Sequence, residues 1–256
     1  MAELPQSQPR SGGDSFLGGR FFLRQPASGH RSGTDAVLLA AAAPAHFCGI
    51  ALDAGAGSGA AGLALAVTRP GARVGLIEID PVSAELAREN IVQNGLCERC
   101  YVVETDLLIP AGRREAGLRQ ESAALVITNP PFLDPSRARL PPDPDKRRAH
   151  AMPSASALND WIQASLSLVA PGGSFLMIHH AGALPEILQC LPGRAGGVTL
   201  LPIYPREGSK ASRILLRATK GSRAPLAIAP PLVLHAEAGF TPLAEAIHRG
   251  EAVIEW

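Results

Sequence analysis

Cysteine is scarce, with four residues in 256. Cys97 and Cys100 form a lone C-x-x-C, without a second pair or nearby histidines, which excludes a disulfide scaffold and leaves a zinc site short of ligands. Unbroken apolar length is also lacking: the most apolar stretch, near 36–52, is interrupted by Pro44 and His46, and the opening Met-Ala-Glu-Leu-Pro has neither the basic flank nor the apolar centre of a secretion signal. These absences predict a cytoplasmic protein with no membrane partner and no metal. No internal repeat is present. Charge of one sign is missing too, the net being +1, which by itself gives little attraction for a polyanion. What the chain does have is a 46% hydrophobic fraction against 18% charge, enough to bury a full core as one large α/β domain.

The small net charge hides an uneven distribution. Arg206, Lys210, Arg213, Arg217, Lys220 and Arg223 stand against Glu207 alone, and Arg10, Arg20, Arg24 and Arg31 against Asp14. Both groups are candidates for phosphate contact, with a solvated surface face as the plainer alternative. Residues 1–15 are rich in Ser, Gly, Pro and Gln, predicting a mobile tail that we bound at 1–18. The remainder, 19–256, reads as one domain: an N-terminal cap at 19–46, a core at 47–220 and an extension at 221–256. In the cap, Gly19 to Gln25 suits a short strand, and Thr34 or Asp35 suits the N-cap of an Ala/Leu helix ending near Pro44.

From residue 50 short apolar runs alternate with amphipathic segments. The pattern predicts strands at 50–53, 73–79, 100–104, 124–128 and 173–179, and helices at 59–68, 81–94 and 155–169. Such alternation forms a mostly parallel sheet covered on both faces. Beyond it come strands near 198–203 and 212–218, a Pro-rich connection through Pro230-Pro231, and a short helix near 242–249.

Asp53-Ala54-Gly55-Ala56-Gly57-Ser58-Gly59 joins the first core strand to its helix, where a glycine-rich loop lets backbone approach a ligand. A tight structural turn would use the same glycines. The acid decides between ligands: a dinucleotide would bring phosphates to this helix start, where Asp53 repels them, whereas the amine and sulfonium of S-adenosylmethionine are attracted. Glu78 ends the second strand 23 residues after Gly55 and can accept from both ribose hydroxyls. Asp80 is the alternative, better suited to capping the next helix. Asp106 follows the third strand and can accept from an adenine amino group, a simple turn acid being the plainer reading.

Leu125-Val-Ile-Thr128-Asn129-Pro130-Pro131-Phe132 is the most specific signal: an apolar strand running into Asn-Pro-Pro-aromatic. An amino nitrogen conjugated to a ring is a poor nucleophile, because its lone pair is delocalised. Asn129 Oδ1 can accept one N–H and the Pro130 carbonyl the other, turning the lone pair toward an electrophilic methyl without a base. Two prolines fix that carbonyl and present no competing donor. Phe132 offers a face for an extruded base, a contact worth about 1–3 kcal/mol. Of the histidines, the His179-His180 pair reads as packing or surface, since alternate side chains face opposite ways; His30, His46, His235 and His248 have no ligand spacing.

With these motifs in order, the sequence resembles the class I N6-adenine methyltransferases, and more closely the bacterial family that modifies the adenosine 3′ of the anticodon in a valine tRNA. Arg31-Ser-Gly33-Thr34-Asp35-Ala-Val-Leu-Leu is similar to that family's N-terminal signature, and the likeness spans about 20–220. It implies a Rossmann-like fold with a seven-stranded, mostly parallel sheet and helices on both faces. It further implies S-adenosylmethionine as cofactor and S-adenosylhomocysteine as product, with RNA, most specifically tRNA, as partner. By resemblance, Gly33, Thr34 and Asp35 lie over the cofactor, Asp53, Ala54, Gly55, Gly57 and Gly59 cradle it, Glu78 and Ile79 hold its ribose side, and Asp106 and Leu107 its adenine. Asn129, Pro130, Pro131 and Phe132 would receive the target base, with Asn129 also at the cofactor. Arg24, Arg31, Arg137, Arg139, Arg147, Arg148, Lys210, Arg213 and Lys220 are the candidate nucleic-acid contacts, although Asp134, Asp143 and Asp145 offset those in the 133–153 loop. Enzymes that methylate a release-factor glutamine share the Asn-Pro-Pro-aromatic motif, so a protein acceptor stays open. So does a non-catalytic subunit that presents RNA to a partner.

Overall fold

The computed structural model describes residues 12–26, 31–130 and 157–256. Pro131, Phe132, Arg137, Arg139, Arg147 and Arg148 lie outside the described residues. The chain opens with a hairpin of β1 (Asp14–Phe16) and β2 (Phe21–Leu23), then α1 (Thr34–Ala41). The alternating core follows: β3 (Gly49–Ala54), α2 (Ala60–Thr68), β4 (Ala72–Glu78), α3 (Pro81–Gln93), β5 (Cys100–Glu104), α4 (Pro110–Glu115) and β6 (Ala123–Thr128). After the undescribed segment come α5 (Ala157–Leu168), β7 (Val169–His180), α6 (Leu184–Gln189), β8 (Ala195–Arg206), β9 (Arg213–Lys220), β10 (Ala227–Ile228), β11 (Leu232–His235) and α7 (Pro242–His248).

The main sheet runs β10-β8-β9-β7-β6-β3-β4-β5, with β11 also on β8. Strands β5, β4, β3, β6 and β7 pair in parallel, and β9 enters antiparallel between β7 and β8. Among the described residues the main sheet therefore has nine strands in place of the expected seven. The two additions, β10 and β11, come from the Pro-rich connection and pair in parallel with β8; at two and four residues they are too short to show a period in sequence. The predicted tail also ends earlier than expected, because Asp14 to Phe16 pair with Phe21 to Leu23, and the backbone beyond β2 is held by Asn90 of α3 through Arg24 N at 2.8 Å and Arg24 O at 2.9 Å. Strand β7 begins at Val169, ahead of the expected start at 173, and runs through Pro171-Gly172, with a register shift against β6 between Ala123 and Leu125.

Side chains alternate across the sheet as a strand dictates. Leu125 and Ile127 of β6 join the core beneath α1, α2 and α3, and Val126 joins the opposite one with Ile162 and Leu166 of α5. All three β6 residues are fully buried, each contributing roughly 1.5–3 kcal/mol. Both faces being closed, a ligand can approach only at the edge where the parallel strands end, and Asp53, Glu78, Glu104 and Thr128 lie at or beside those ends.

Candidate active site

The loop after β3 is shaped by what surrounds it. Gly55 has φ +75°, and a Cβ there would stand 2.7 Å from Trp161 Cζ2, so both backbone and space require glycine. Gly57 has φ +55° but open space, with nothing within 4 Å of a built Cβ. One position is closed by a neighbour; the other faces a cradle. The loop amides of Gly55 and Ala56 donate to the Ile77 carbonyl at 3.0 and 2.9 Å, and Gly57 N donates to Glu78 Oε2 at 2.7 Å.

Asp53 is 2% exposed and accepts from Gly62 N in the first turn of α2 at 2.8 Å. Burial, and to a lesser degree the neighbouring Glu78 charge, push its carboxyl up to about 7 against the lowering effect of the Gly62 bond. The side chain thus braces α2 against the loop from below, and its direct partner is a backbone amide. A buried acid with its carboxyl raised, and without a cation beside it among the described residues, has the electrostatics of a site awaiting positive charge.

Glu78 Oε1 accepts from Ile79 N at 2.9 Å and Asp80 N at 2.8 Å, leaving carboxylate lone pairs for hydroxyl donors. Asp80 caps α3, accepting from Ser83 N at 2.9 Å. Ile79 is 54% exposed beside Glu78, an apolar surface at the right edge for a ring. Asp106 Oδ1 accepts from Leu108 N at 2.8 Å. Leu107 is buried, whereas Leu108 and Ile109, which the sequence did not single out, are exposed. Together the donor set fits S-adenosylmethionine: an acid for its cationic end, an open glycine cradle, a strand-end carboxylate for its ribose and apolar surface for its base.

At the end of β6, Asn129 Oδ1 is buried and has no hydrogen-bond partner among the described residues. An amide oxygen left in that state costs about 1–3 kcal/mol unless a ligand donor satisfies it. Pro130 is buried beside it. The preceding Thr128 donates its hydroxyl to the Ala54 carbonyl at 2.8 Å and accepts from Trp161 Nε1 at 2.9 Å. Sequence reading missed Trp161, whose only signal was an aromatic residue one turn into a helix.

The N-terminal signature reaches the same edge. Gly33 is the N-cap of α1, displacing the expected Thr34 or Asp35. Thr34 Oγ1 lies 3.2 Å from His248 Nε2. His248 Nδ1 faces the Ala244 carbonyl at 2.7 Å, which can only accept, so Nδ1 is the donor of that pair. Asp35 Oδ2 accepts from Arg213 Nε at 2.9 Å.

The basic candidates do not converge. Arg24 pairs with Glu89 at 3.1 Å and Arg31 with Asp14. Arg206 ends β8 and Lys210 lies in the β8–β9 turn, both exposed on the edge that carries Asn129. Lys220 ends β9, roughly 24 Å along the strand from Arg213. There it donates to the Leu166 carbonyl at 2.7 Å and lies 3.4 Å from Glu121. Alternation along an antiparallel return strand carries a basic run away from one edge toward the other, a separation that sequence proximity conceals. Arg217 stacks over Trp256 at 4.9 Å. His179 is buried and its ring lies 4.4 Å from that of His180; burial first, then that neighbour, hold it down at about 4. Among the described residues no group of His, Cys, Asp or Glu is arranged to hold a metal.

Strand order, the glycine loop and the strand-end acids define a class I S-adenosylmethionine-dependent methyltransferase. The Methyltransferase small domain family matches residues 29–140. A tRNA1(Val) (adenine(37)-N6)-methyltransferase of Porphyromonas gingivalis is 34% identical over 68% of each chain, and one of Serratia proteamaculans is 30% identical over 83% of this chain and 78% of its own. The chain belongs to this tRNA1(Val) (adenine(37)-N6)-methyltransferase family. A crystal structure from Agrobacterium tumefaciens, described as a predicted O-methyltransferase, is 33% identical with a TM-score of 0.72, covering 86% of this chain and 98% of that one. A SAM-dependent O-methyltransferase of Thermotoga maritima, 17% identical with a TM-score of 0.52 over 77% of this chain and 68% of its own, shares the fold.

Proposed function

We propose that this protein transfers a methyl group from S-adenosylmethionine to N6 of an adenine in tRNA, at the position beside the anticodon that its relatives' names specify. The observation that carries the reading is the buried Oδ1 of Asn129, without a partner among the described residues, at the end of the strand beside the glycine loop. When bound, the cofactor supplies an electrophilic methyl. Asn129 Oδ1 takes one N–H of the adenine amine and the Pro130 carbonyl the other, so the nitrogen becomes pyramidal and its lone pair is aimed. An oxygen nucleophile would need its proton removed by a base, and an amide oxygen and a carbonyl are hydrogen-bond acceptors without useful basicity. That favours an amino acceptor over the O-methylation suggested by the Agrobacterium description.

In this reading Gly55, Gly57 and Gly59 cradle the cofactor, Glu78 takes its ribose, Ile79 and Asp106 flank its adenine, and Gly33 to Asp35 cover it. Pro131 and Phe132 complete the pocket for the base. A tRNA acceptor supports a cytoplasmic location for the protein. Among the described residues no helix is long and apolar enough to cross a membrane. Labelled methyl transfer to total tRNA lacking the modification, followed by nucleoside analysis, tests the reading. N6-methyladenosine should appear with wild type and fall at least a hundredfold with Asn129→Ala, the scale of losing an essential preorganised acceptor. Transfer to a release factor instead of tRNA would overturn it.

A further inference from the structure

We infer that Trp161 is a positioning residue that fixes Asn129 relative to the cofactor loop. Two independent contacts carry this. The indole N–H donates to Thr128 Oγ1 at 2.9 Å, and the Thr128 hydroxyl in turn donates a hydrogen bond to the Ala54 carbonyl at 2.8 Å. The six-membered ring of the same side chain lies against Gly55, so closely that a Cβ on Gly55 would come within 2.7 Å of Cζ2 and 2.9 Å of Cη2. One rigid side chain therefore touches the residue before Asn129 and the first glycine of the loop.

The sheet alone does not set this geometry. β3 and β6 pair in register only as far as Ala54 and Thr128. Gly55 and Asn129 are the next residues on each strand, where ladder hydrogen bonds stop. At that point the Thr128 side chain replaces the ladder, and its hydroxyl is oriented by having both a defined acceptor and a defined donor. Thr128 is fully buried, so water does not compete for either bond. A hydroxyl with one partner could rotate; with Trp161 and Ala54 both engaged it holds one rotamer. Trp161 sits in the α5–α6 core with Ile162 and Leu166 behind it, so helix packing backs the indole. The arrangement keeps the amino acceptor at a fixed distance from the cofactor, which matters for the rate of transfer far more than for binding either substrate.

This inference rests on the proposed adenine reading for its kinetic readout, and the test separates the two. Methyl transfer to tRNA is measured for wild type, Trp161→Phe, Thr128→Val, Thr128→Ser and the double variant Trp161→Phe/Thr128→Val. Trp161→Phe removes the donor and also withdraws the distal ring from Gly55, so kcat should fall at least five- to tenfold, about the scale of one neutral hydrogen bond or more, with KM for both substrates within twofold. Thr128→Val removes the hydroxyl alone and should lose about five- to tenfold in kcat, Thr128→Ser should retain activity, and the double variant should lose less than the product of the two single losses, because both remove the same hydrogen bond. Additive losses, or a fall in affinity with kcat intact, would overturn the inference, and Thr128→Val carries the test if Trp161→Phe does not fold. A second readout needs no acceptor. The chain has two tryptophans, so in Trp256→Phe the fluorescence of Trp161 alone should change on titration with S-adenosylhomocysteine, and an unchanged spectrum despite calorimetric binding would count against it. No methyl transfer by wild type to tRNA, with that fluorescence change intact, would remove the adenine reading and leave Trp161 at the cofactor loop.

Discussion

Asp53 accepts a hydrogen bond from the Gly62 amide at 2.8 Å while almost wholly shut away from water, and its carboxyl is raised to about 7, chiefly by that burial. Below pH 7 the ligand-free protein holds a proton there, and a cationic ligand must displace it or lose the attraction. Affinity for S-adenosylmethionine should therefore rise with pH up to about 7 and then level off. S-adenosylhomocysteine, lacking the sulfonium charge, should respond less. Calorimetric titrations at pH 6 and pH 8 check this, and Asp53→Asn should flatten the dependence while weakening binding.

The same group gives a stability prediction. The folded protein keeps a proton that the unfolded chain releases above 3.8, so this carboxyl's contribution declines from about pH 4 to pH 7 and stays low above it. Asp53→Asn removes the ionisation and retains an acceptor for Gly62. The melting temperature of the variant relative to wild type should be higher at pH 8 than at pH 5, in the absence of ligand. An equal difference at both values would show that Asp53 is not the titrating group.

Gly55 and Gly57 should separate folding from binding. Gly55→Ala drives a methyl into Trp161 and also adopts a positive φ, so the melting temperature should drop by several degrees, in keeping with about 1–3 kcal/mol of overpacking. Gly57→Val meets open space in the ligand-free protein and carries only the strain of φ +55°, about 1–2 kcal/mol. It should fold, yet bind S-adenosylhomocysteine at least a hundredfold more weakly, because its side chain fills the cradle. Thermal denaturation and titration on the same samples give both answers.

Much of this site was legible because its chemistry is local. Asp53 to Gly59 and Thr128 to Pro130 are short motifs at strand ends, and the period of two that marks the strands also fixes where their ends fall. The role of Asp80 as a cap followed from Pro81 and the helix after it. What stayed hidden depends on chain segments far apart in sequence. The contact of Trp161 with Gly55 joins residues 106 positions apart, and that of His248 with Thr34 spans 214; neither leaves a trace in any one window. β10 and β11 escaped for a different reason, being held by pairing to β8 rather than by a period of their own.

The basic run at 206–223 should divide by position. Arg206 at the end of β8 and Lys210 in the turn after it lie on the Asn129 edge, so Arg206→Ala/Lys210→Ala should raise KM for tRNA and reduce its dependence on salt by about one to two released counterions. Lys220 is engaged at the opposite end by the Leu166 carbonyl and Glu121. Lys220→Ala should leave KM and its salt slope unchanged and lower the melting temperature slightly. An equal rise in KM for both would mean that the RNA wraps past the sheet edge.

Arg213 opens β9 at the Asn129 edge and is the hardest to assign from sequence, because a phosphate contact and a structural ion pair require the same residue type. Its Nε donates to Asp35 at 2.9 Å, with the two side chains 32% and 23% exposed, and the pair joins the start of β9 to the first turn of α1. A partly screened pair of this kind contributes about 1 kcal/mol, and breaking it also loosens the helix that carries Gly33 and Thr34. Asp35→Asn should therefore lower the melting temperature by a few degrees and weaken cofactor binding, even though it removes a negative charge from a face proposed to meet RNA. If Arg213 instead served mainly to hold phosphate, the same substitution would release its charge and lower KM for tRNA. Cofactor titration and tRNA kinetics on Asp35→Asn move in opposite directions under the two accounts, and the structure favours the first.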